Sequence, residues 1–304
     1  MRPEFPAVTS AVQASMMTGL PVAEHGVVGN GWYERESGEV RFWRQGNRIV
    51  RGEKIWERLR RECPGFSCAN LFWWFNMHSA VDFAVTPRPL YPADGRKVFD
   101  IHTQPMGLRG EIKAALGEFP FPAFWGPMAG IASSRWIAEA ARWMEEREQP
   151  GLQLVYLPHL DYGLQKWGPE APEVAAELAA IDEVAGGLAD DLERCGVKVL
   201  VVSEYGISAV SRPVHLNREF RRRGWLAIKD ELGRDALIAG DSEVFAVADH
   251  QVAQVYVRVR SRLAEVRAVV AAVDGVEEVR DGWGEGPAGG RGGDLVAVDR
   301  KSVV

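Results

Sequence analysis

Two apolar runs on either side of a long helical pattern are the feature that most constrains how this 304-residue chain folds. The runs at 151–157 (GLQLVYL) and 197–202 (VKVLVV) read as buried strands, and 172–195 between them has the spacing of a helix. Continuous apolar strands are typical of parallel sheets that are covered on both faces. A strand, a helix and a second strand in this order form a right-handed crossover, whose strand ends meet at one edge of the sheet. We therefore predict an α/β fold with a central, mostly parallel sheet and a ligand site at that edge.

Charge and cysteine content exclude several classes of protein. A net charge of −6 gives no electrostatic reason to bind a nucleic acid polymer or a lipid surface. The three cysteines form no C-x-x-C pattern, so we expect neither a disulfide framework nor a thiolate zinc site. No apolar run approaches the roughly 20 residues that a membrane span needs. We expect a cytoplasmic protein without membrane or nucleic acid partners, and its oligomeric state is left open.

The remaining elements follow from local patterns. Alternating aromatic and polar residues predict a hairpin at 31–47, and a core strand is predicted at 66–75. Apolar spacing predicts helices at 52–63, 108–116 and 133–148. The Pro-rich stretch 76–105 reads as an irregular excursion, either a functional loop or a solvated surface segment.

The segment 5–30 carries the first candidate site residue. Phe5 and Pro6 lead to Thr9, apolar residues at helical spacing follow, and Thr18 with Gly19 ends the pattern. Thr9 therefore lies where a helix begins. One interpretation is that Thr9 or Ser10 is an N-cap. The other is that the same helix start stabilises an alkoxide or a bound phosphate.

The order F-P-x-x-T, then T-G nine residues later, then H-G-V-V-x-N, resembles a known nucleophile segment. It is similar to that of the nucleotide pyrophosphatase/type I phosphodiesterase branch of the alkaline phosphatase superfamily. The resemblance implies that Thr9 is the nucleophile and that Asn30 contacts the phosphate. It also implies an alkaline-phosphatase-like sheet flanked by helices. The usual T-F-P-N after the nucleophile is T-S-A-V here, which is a departure from the family pattern.

The resemblance also implies two divalent metal ions, zinc or alternatively manganese. The segment after 151–157 resembles the family's P-D-x-x-G-H-x-x-G-P, in which the Asp and the His bind metal. Asp161 matches the Asp, but Gln165 stands at the His, and a neutral amide is a poor zinc ligand. His159 is a candidate to supply the lost imidazole.

The second metal segment departs from the family as well. S-E-Y-G at 203–206 stands where the family has S-D-H-G, so that Glu204 matches the Asp and Tyr205 replaces the His. His215 lies shortly downstream and is a candidate ligand. Its alternative interpretation is a histidine at a helix start, close to two arginines.

Two further histidine positions receive other roles. His25 belongs to the H-G-V-V motif and is expected to order the turn before Asn30. Asp249 and His250 lie within a strand-like run and are expected to have a structural or substrate-side role, because the resemblance places no metal ligand there.

The resemblance also predicts domains and chain ends. We predict an alkaline-phosphatase-like core at 1–210, which lacks the family's first strand and includes the excursion 76–105. A smaller cap-like α+β lobe follows at 211–298. In the family a strand with a metal-binding Asp precedes the nucleophile, and a metal-binding His follows late. We therefore expect a gene fragment truncated at both ends, with an artefactual tail at 299–304.

The predicted function is a metal-dependent hydrolase of phosphate esters. Its substrates are small molecules with phosphodiester or nucleotide pyrophosphate bonds, and the reaction passes through a phospho-threonine. One alternative is a phosphomonoesterase or phosphonate hydrolase on the same core. Another is a metal-depleted binding or accessory protein, because Gln165 and Tyr205 replace two imidazoles. The chain as given is expected to be inactive.

Overall fold

The computed structural model describes residues 4–299, so the predicted tail at 299–304 lies outside the described residues except for its first position. Contacts divide these residues into two compact units. The terminal unit comprises 4–44, Ile49–Gly52 and 210–299, and the central unit comprises Gln45–Arg48 and Glu53–Ala209. The domain division at 1–210 and 211–298 stays a prediction.

Helices and strands alternate through much of the chain. The described helices are α1 (Thr9–Thr18), α2 (Val22–His25), α3 (Ile55–Glu62), α4 (Leu108–Leu116), α5 (Ile131–Glu148), α6 (His159–Trp167), α7 (Glu173–Arg194), α8 (Leu216–Arg222) and α9 (Leu263–Ala271). The described strands are β1 (Gly31–Glu34), β2 (Glu39–Phe42), β3 (Cys68–Leu71), β4 (Phe83–Pro87), β5 (Ile101–Gln104), β6 (Leu152–Val155), β7 (Ile228–Glu231), β8 (Arg234–Leu237), β9 (Val244–Asp249), β10 (Val252–Val257), β11 (Val276–Asp281) and β12 (Leu295–Asp299). None of the helices within 4–299 is long and apolar enough to cross a membrane.

The central unit is built on a four-stranded mixed sheet in the order β5-β4-β3-β6. β3 pairs in parallel with both β4 and β6, and β5 joins the edge in antiparallel orientation. Helices α4, α5 and α7 supply apolar side chains to the core of this unit, among them Ile112, Ile137 and Val184. The α/β fold with parallel strands at its centre is thus confirmed.

The predicted excursion at 76–105 is wrong at two places, because β4 and β5 form within it and pair with each other. Both strands are four or five residues long, and proline closes β4 and follows β5. Proline is tolerated at strand ends and edges. The prolines therefore bound these strands instead of excluding them.

The predicted buried strand at 197–202 is also wrong, since no strand of the described residues includes it. Val197 and Val199 pack against the core, but Leu200 is 84% and Val201 82% exposed. The run follows α7 without pairing to β6, which remains an edge of the sheet. β3 and β6 are parallel neighbours, and the chain between them forms β4, β5, α4 and α5.

The terminal unit contains an antiparallel sheet in the order β11-β12-β10-β9. β9 and β10 form a hairpin in which Asp249 pairs with Val252. Its core includes Phe220 of α8, Val266 of α9 and Val255 of β10. The predicted hairpin near the start of the chain is confirmed as β1 and β2. Asp249 thus ends a buried edge strand, in the same unit as α1.

Candidate functional site

Thr9 is the first helical residue of α1 and is 4% exposed. The N-cap residue is Val8, in an extended conformation, and its side chain makes no cap hydrogen bond. The interpretation of Thr9 or Ser10 as the N-cap is therefore wrong. Gly19 ends the helix in the left-handed conformation at φ 69°, as the Thr-Gly pair predicted. The Thr9 hydroxyl lies at the positive end of the α1 dipole without serving as its cap.

Asn30 lies beside this helix start and is 1% exposed. Its Oδ1 accepts a hydrogen bond of 2.9 Å from the backbone N–H of Ser10. The helix N–H that a cap would normally satisfy is therefore bound by a side chain from the loop before β1. The structure brings the two predicted residues Thr9 and Asn30 together at one end of α1.

Asp249 binds the other side of Asn30. Its Oδ2 accepts from the Asn30 backbone N–H at 2.6 Å, and its Oδ1 accepts from Asn30 Nδ2 at 3.1 Å. Burial raises the pKa of Asp249, while the hydrogen bonds from Asn30 and the charge of His250 lower it. Sequence reasoning gave Asp249 only a general structural or substrate-side role. The contact with Asn30 spans 219 positions, so no local pattern announces it.

His25 orders the turn that leads to Asn30, as predicted. Its Nδ1 accepts from the Val27 N–H at 3.1 Å, and its Nε2 lies 2.9 Å from Ser15 Oγ in α1. Burial and the nearby Arg291 lower the pKa of His25 to about 4. The imidazole is therefore neutral at pH 7, and with Nδ1 accepting, Nε2–H donates to Ser15.

In the central unit, Asp161 lies in the first turn of α6. Gln165, one turn later, donates from Nε2 to Asp161 Oδ2 at 2.6 Å. The Tyr205 hydroxyl donates to Asp161 Oδ1 at 3.4 Å. Both side chains that stand at expected histidine positions thus bind the same carboxylate.

The other predicted ligands have separate surroundings. His159 is 2% exposed, and its Nε2 lies 2.6 Å from Glu177 Oε2 of α7. Burial lowers the pKa of His159, and Glu177 opposes this. Glu204 is one of the groups whose negative charge, after burial, raises the pKa of Tyr156 far above its usual value. The metal-ligand roles of both residues stay predictions.

His215 lies in the terminal unit, directly before α8, and is exposed. It lines an open groove of about 830 Å³ together with His250. The floor of this groove is formed by short side chains of the sheet, including Ala253 and Ala297. None of the described contacts identifies His215 as a metal ligand, so that role stays a prediction.

The described residues do not fit a two-zinc centre. Among residues 4–299, no three His, Cys, Asp or Glu side chains converge as a metal ion requires. Both oxygens of Asp161 accept hydrogen bonds, from an amide and from a phenol. Zinc prefers imidazole, thiolate and carboxylate ligands. The amide and the phenol that donate hydrogen bonds to Asp161 belong to none of these classes.

The mixed sheet and its flanking helices define an alkaline-phosphatase-like fold. Phosphonoacetate hydrolase from Sinorhizobium meliloti 1021, solved with phosphonoacetate, has a TM-score of 0.65 and 16% identity, covering 99% of this chain and 71% of that chain. Murine ectonucleotide pyrophosphatase/phosphodiesterase 5 has a TM-score of 0.60 and 14% identity, covering 98% and 68%.

The family is defined by the sequence match. The chain belongs to the type I phosphodiesterase/nucleotide pyrophosphatase family, whose match covers residues 1–304. An uncharacterized pyrophosphatase/phosphodiesterase of Schizosaccharomyces pombe is 24% identical over 219 residues, 69% of this chain. The chain matches 38% of the length of that relative.

Proposed function

We propose that the full-length protein hydrolyses phosphate esters, with phosphodiester or nucleotide pyrophosphate bonds as its main substrates and Thr9 as the phosphoryl acceptor. Family membership supports the reaction class. A structure of murine ectonucleotide pyrophosphatase/phosphodiesterase 5 in complex with AMP supports a nucleotide as one substrate group. The neighbour that holds phosphonoacetate supports a phosphonate as the alternative.

The observation that carries the proposal is the start of α1, where Thr9 is the first helical residue and Asn30 binds the neighbouring Ser10 N–H. The Thr9 hydroxyl attacks the phosphorus atom, and the bond from phosphorus to the leaving oxygen breaks while the hydroxyl proton passes to the departing alcohol or phosphate group. Water then cleaves the threonine ester and releases the remaining phosphate monoester, or phosphate itself when the substrate is a monoester. Negative charge that develops on the phosphate oxygens is stabilised at the helix N-terminus. The Asn30 amide keeps a second N–H besides the one that binds Asp249, and this N–H donates to an equatorial oxygen.

The family resemblance adds two divalent cations, zinc or manganese, which would activate the threonine hydroxyl. The residues around Asp161 do not fit such a pair, because an amide and a phenol hydrogen-bond its carboxylate. The proposed reaction therefore has no step at a metal ion. Metal dependence of the full-length protein is tested directly by its metal content.

The same hydrogen bonds favour a second candidate function. With Asp161 held by Gln165 and Tyr205, the protein would lack the metal ions that activate the threonine, and a phosphate ester bound at the start of α1 would stay uncleaved. A threonine hydroxyl is a weak nucleophile unless a neighbouring base or a metal ion activates it. Binding of AMP without turnover would support this accessory role.

The decisive experiment measures hydrolysis of bis(p-nitrophenyl) phosphate and of p-nitrophenyl phosphate by the full-length protein. Thr9→Ala is expected to lower the rate with the diester by about a thousandfold or more, because it removes the acceptor. Thr18→Ala, the same change at the far end of α1, is the control and keeps wild-type activity. Equal rates for wild type and Thr9→Ala would overturn Thr9 as the acceptor, and faster monoester cleavage would favour the phosphomonoesterase alternative.

A further inference from the structure

We propose that Asp249 is a positioning residue that fixes the Asn30 amide and, through it, the first turn of α1. This inference rests on the proposed function for its catalytic consequence. The geometric part stands on contacts within the terminal unit alone. Asp249 touches Asn30 and not the phosphate site itself, so it acts through another residue.

The first step concerns the orientation of the Asn30 side chain. The two ends of an amide differ, since its oxygen only accepts and its nitrogen only donates. A carboxylate only accepts, so Asp249 Oδ1 requires Nδ2 to face it at 3.1 Å. The oxygen Oδ1 must then face the opposite way, where it accepts from the Ser10 N–H at 2.9 Å. Asp249 thus selects the one amide orientation that also holds α1.

Asp249 holds Asn30 at two points. The Asn30 backbone N–H also binds Asp249, at 2.6 Å to Oδ2, so the carboxylate grips main chain and side chain together. Both residues are buried, Asp249 at 5% and Asn30 at 1% exposure. A buried carboxylate is costly without such partners, so displacement of either residue is strongly opposed.

Asp249 packs closely against the main chain before Asn30. A Cβ on Gly29 would lie 2.8 Å from Asp249 Oδ2. The carboxylate therefore approaches the main chain more closely than any larger residue at position 29 permits. The His250 Nε2 lies 4.0 Å from Asp249 Oδ1. Glycine at 29 and aspartate at 249 form one complementary contact.

The consequence for the site follows from chain position. Ser10 follows Thr9 directly, so a shift of the Ser10 amide moves the threonine hydroxyl relative to Asn30. Misplacement of a reacting group by about 1 Å costs on the order of a hundredfold in rate. Asp249 therefore keeps the acceptor and the phosphate-binding amide in register.

The test uses amide hydrogen exchange of the full-length protein, read on a peptide that contains Ser10. Asp249→Asn replaces one acceptor by a donor and permits the Asn30 amide to flip. Exchange of the Ser10 amide is expected to rise about tenfold or more, since its acceptor is lost. Asp294→Asn is the matched control: Asp294 is a buried aspartate of the same unit that accepts from the Val257 N–H, without contact to Asn30.

Two further variants keep the test independent of general destabilisation. The exchanged pair Asn30→Asp with Asp249→Asn permits all three hydrogen bonds, with donor and acceptor reversed between the two side chains, and moves the charge from position 249 to position 30. It is expected to restore protection of Ser10 but not hydrolysis, because a carboxylate at 30 repels phosphate. Gly29→Ala retains both side chains and is expected to raise exchange as Asp249→Asn does.

Kinetics separate this inference from the proposed function. In an active wild type, Asp249→Asn is expected to lower kcat about tenfold to a hundredfold with a smaller change in KM. Wild-type exchange at Ser10 in Asp249→Asn would overturn the inference even if the enzyme is active. Raised exchange in a protein that hydrolyses nothing would support the positioning contact and overturn the proposed function alone.

Discussion

At the scale of single residues, His25 couples the turn before Asn30 to helix α1 only while it is neutral. It is fully buried, and burial and the Arg291 guanidinium lower its pKa to about 4. Arg291 is itself fixed by its bond of 2.7 Å to the Gly26 carbonyl. In the unfolded chain the same imidazole titrates near its ordinary value of about 6.5. Stability of this region therefore depends on pH.

The sign of that dependence follows from proton binding. Between pH 6.5 and 4 the unfolded chain holds the His25 proton and the folded chain does not, so unfolding is favoured as the pH falls. The free energy of unfolding should drop by at most about 3 kcal/mol across this window, and the contribution is complete above pH 6.5. Urea denaturation of wild type and His25→Gln at several pH values measures it. A difference between the two proteins that stays constant with pH would contradict the expectation.

At the scale of elements, local patterns predicted the longer helices and the strands within 31–47, 66–75 and 151–157, but they missed β4 and β5 and wrongly made 197–202 a strand. The bounds of α4 match the predicted 108–116, and α7 differs from its prediction by one residue at each end. Helical spacing extends over nine or more residues, so one irregular position does not hide it. β4 and β5 are four or five residues long and bounded by proline, which made their segment read as a loop.

The run 197–202 failed for a different reason. Its composition is that of a buried strand. Burial of a strand requires a neighbouring strand and covering helices, and the sequence of the run does not show whether these are present. Val199 packs against the core, while Val201 is 82% exposed. Packed and solvent-exposed side chains therefore occur within the same apolar run, and its composition alone does not show which of them are buried.

This difference within one run is testable by substitution. Val201→Lys should change the free energy of unfolding by no more than about 0.5 kcal/mol, because the side chain already faces solvent. Val199→Lys should cost about 2 kcal/mol or more, since it brings a charge against apolar side chains. Thermal or urea denaturation of the full-length protein compares them. Equal, large losses would indicate a paired, buried strand instead.

At the scale of the whole molecule, each unit holds its own cluster of candidate residues, and the contacts within a cluster were predictable only where its members lie close in sequence. Thr9 and Asn30 belong to one segment, and Asp161 and Gln165 lie one helical turn apart, so spacing and resemblance identified them. The Tyr205–Asp161 contact joins residues 44 positions apart, and Asn30–Asp249 joins residues 219 apart. Such contacts depend on how strands are ordered, which no local pattern encodes. The sequence therefore indicated candidate residues but not the distant residues that contact them.

The groups around Asp161 bear on whether the protein binds a metal ion. Burial, and after it the charges of Glu204, Tyr205 and Asp161, raise the pKa of Tyr156 far above its usual value, so these acids and phenols lie close together. The cluster thus resembles a metal site that retains its carboxylates but has exchanged its imidazoles for hydrogen-bond donors. Restoring the imidazoles should restore the affinity.

The variant Gln165→His with Tyr205→His tests this in the full-length protein. The wild type is expected to hold less than one zinc ion per chain after dialysis, because the Asp161 oxygens are hydrogen-bonded by neutral donors. The double variant supplies two imidazoles beside two carboxylates and should retain at least one zinc ion, with each single variant in between. Elemental analysis reads the result without any assay of activity. If the wild type already holds a full equivalent of zinc that Asp161→Ala removes, the hydrogen bonds to Asp161 do not exclude the metal, and the accessory role loses its main support.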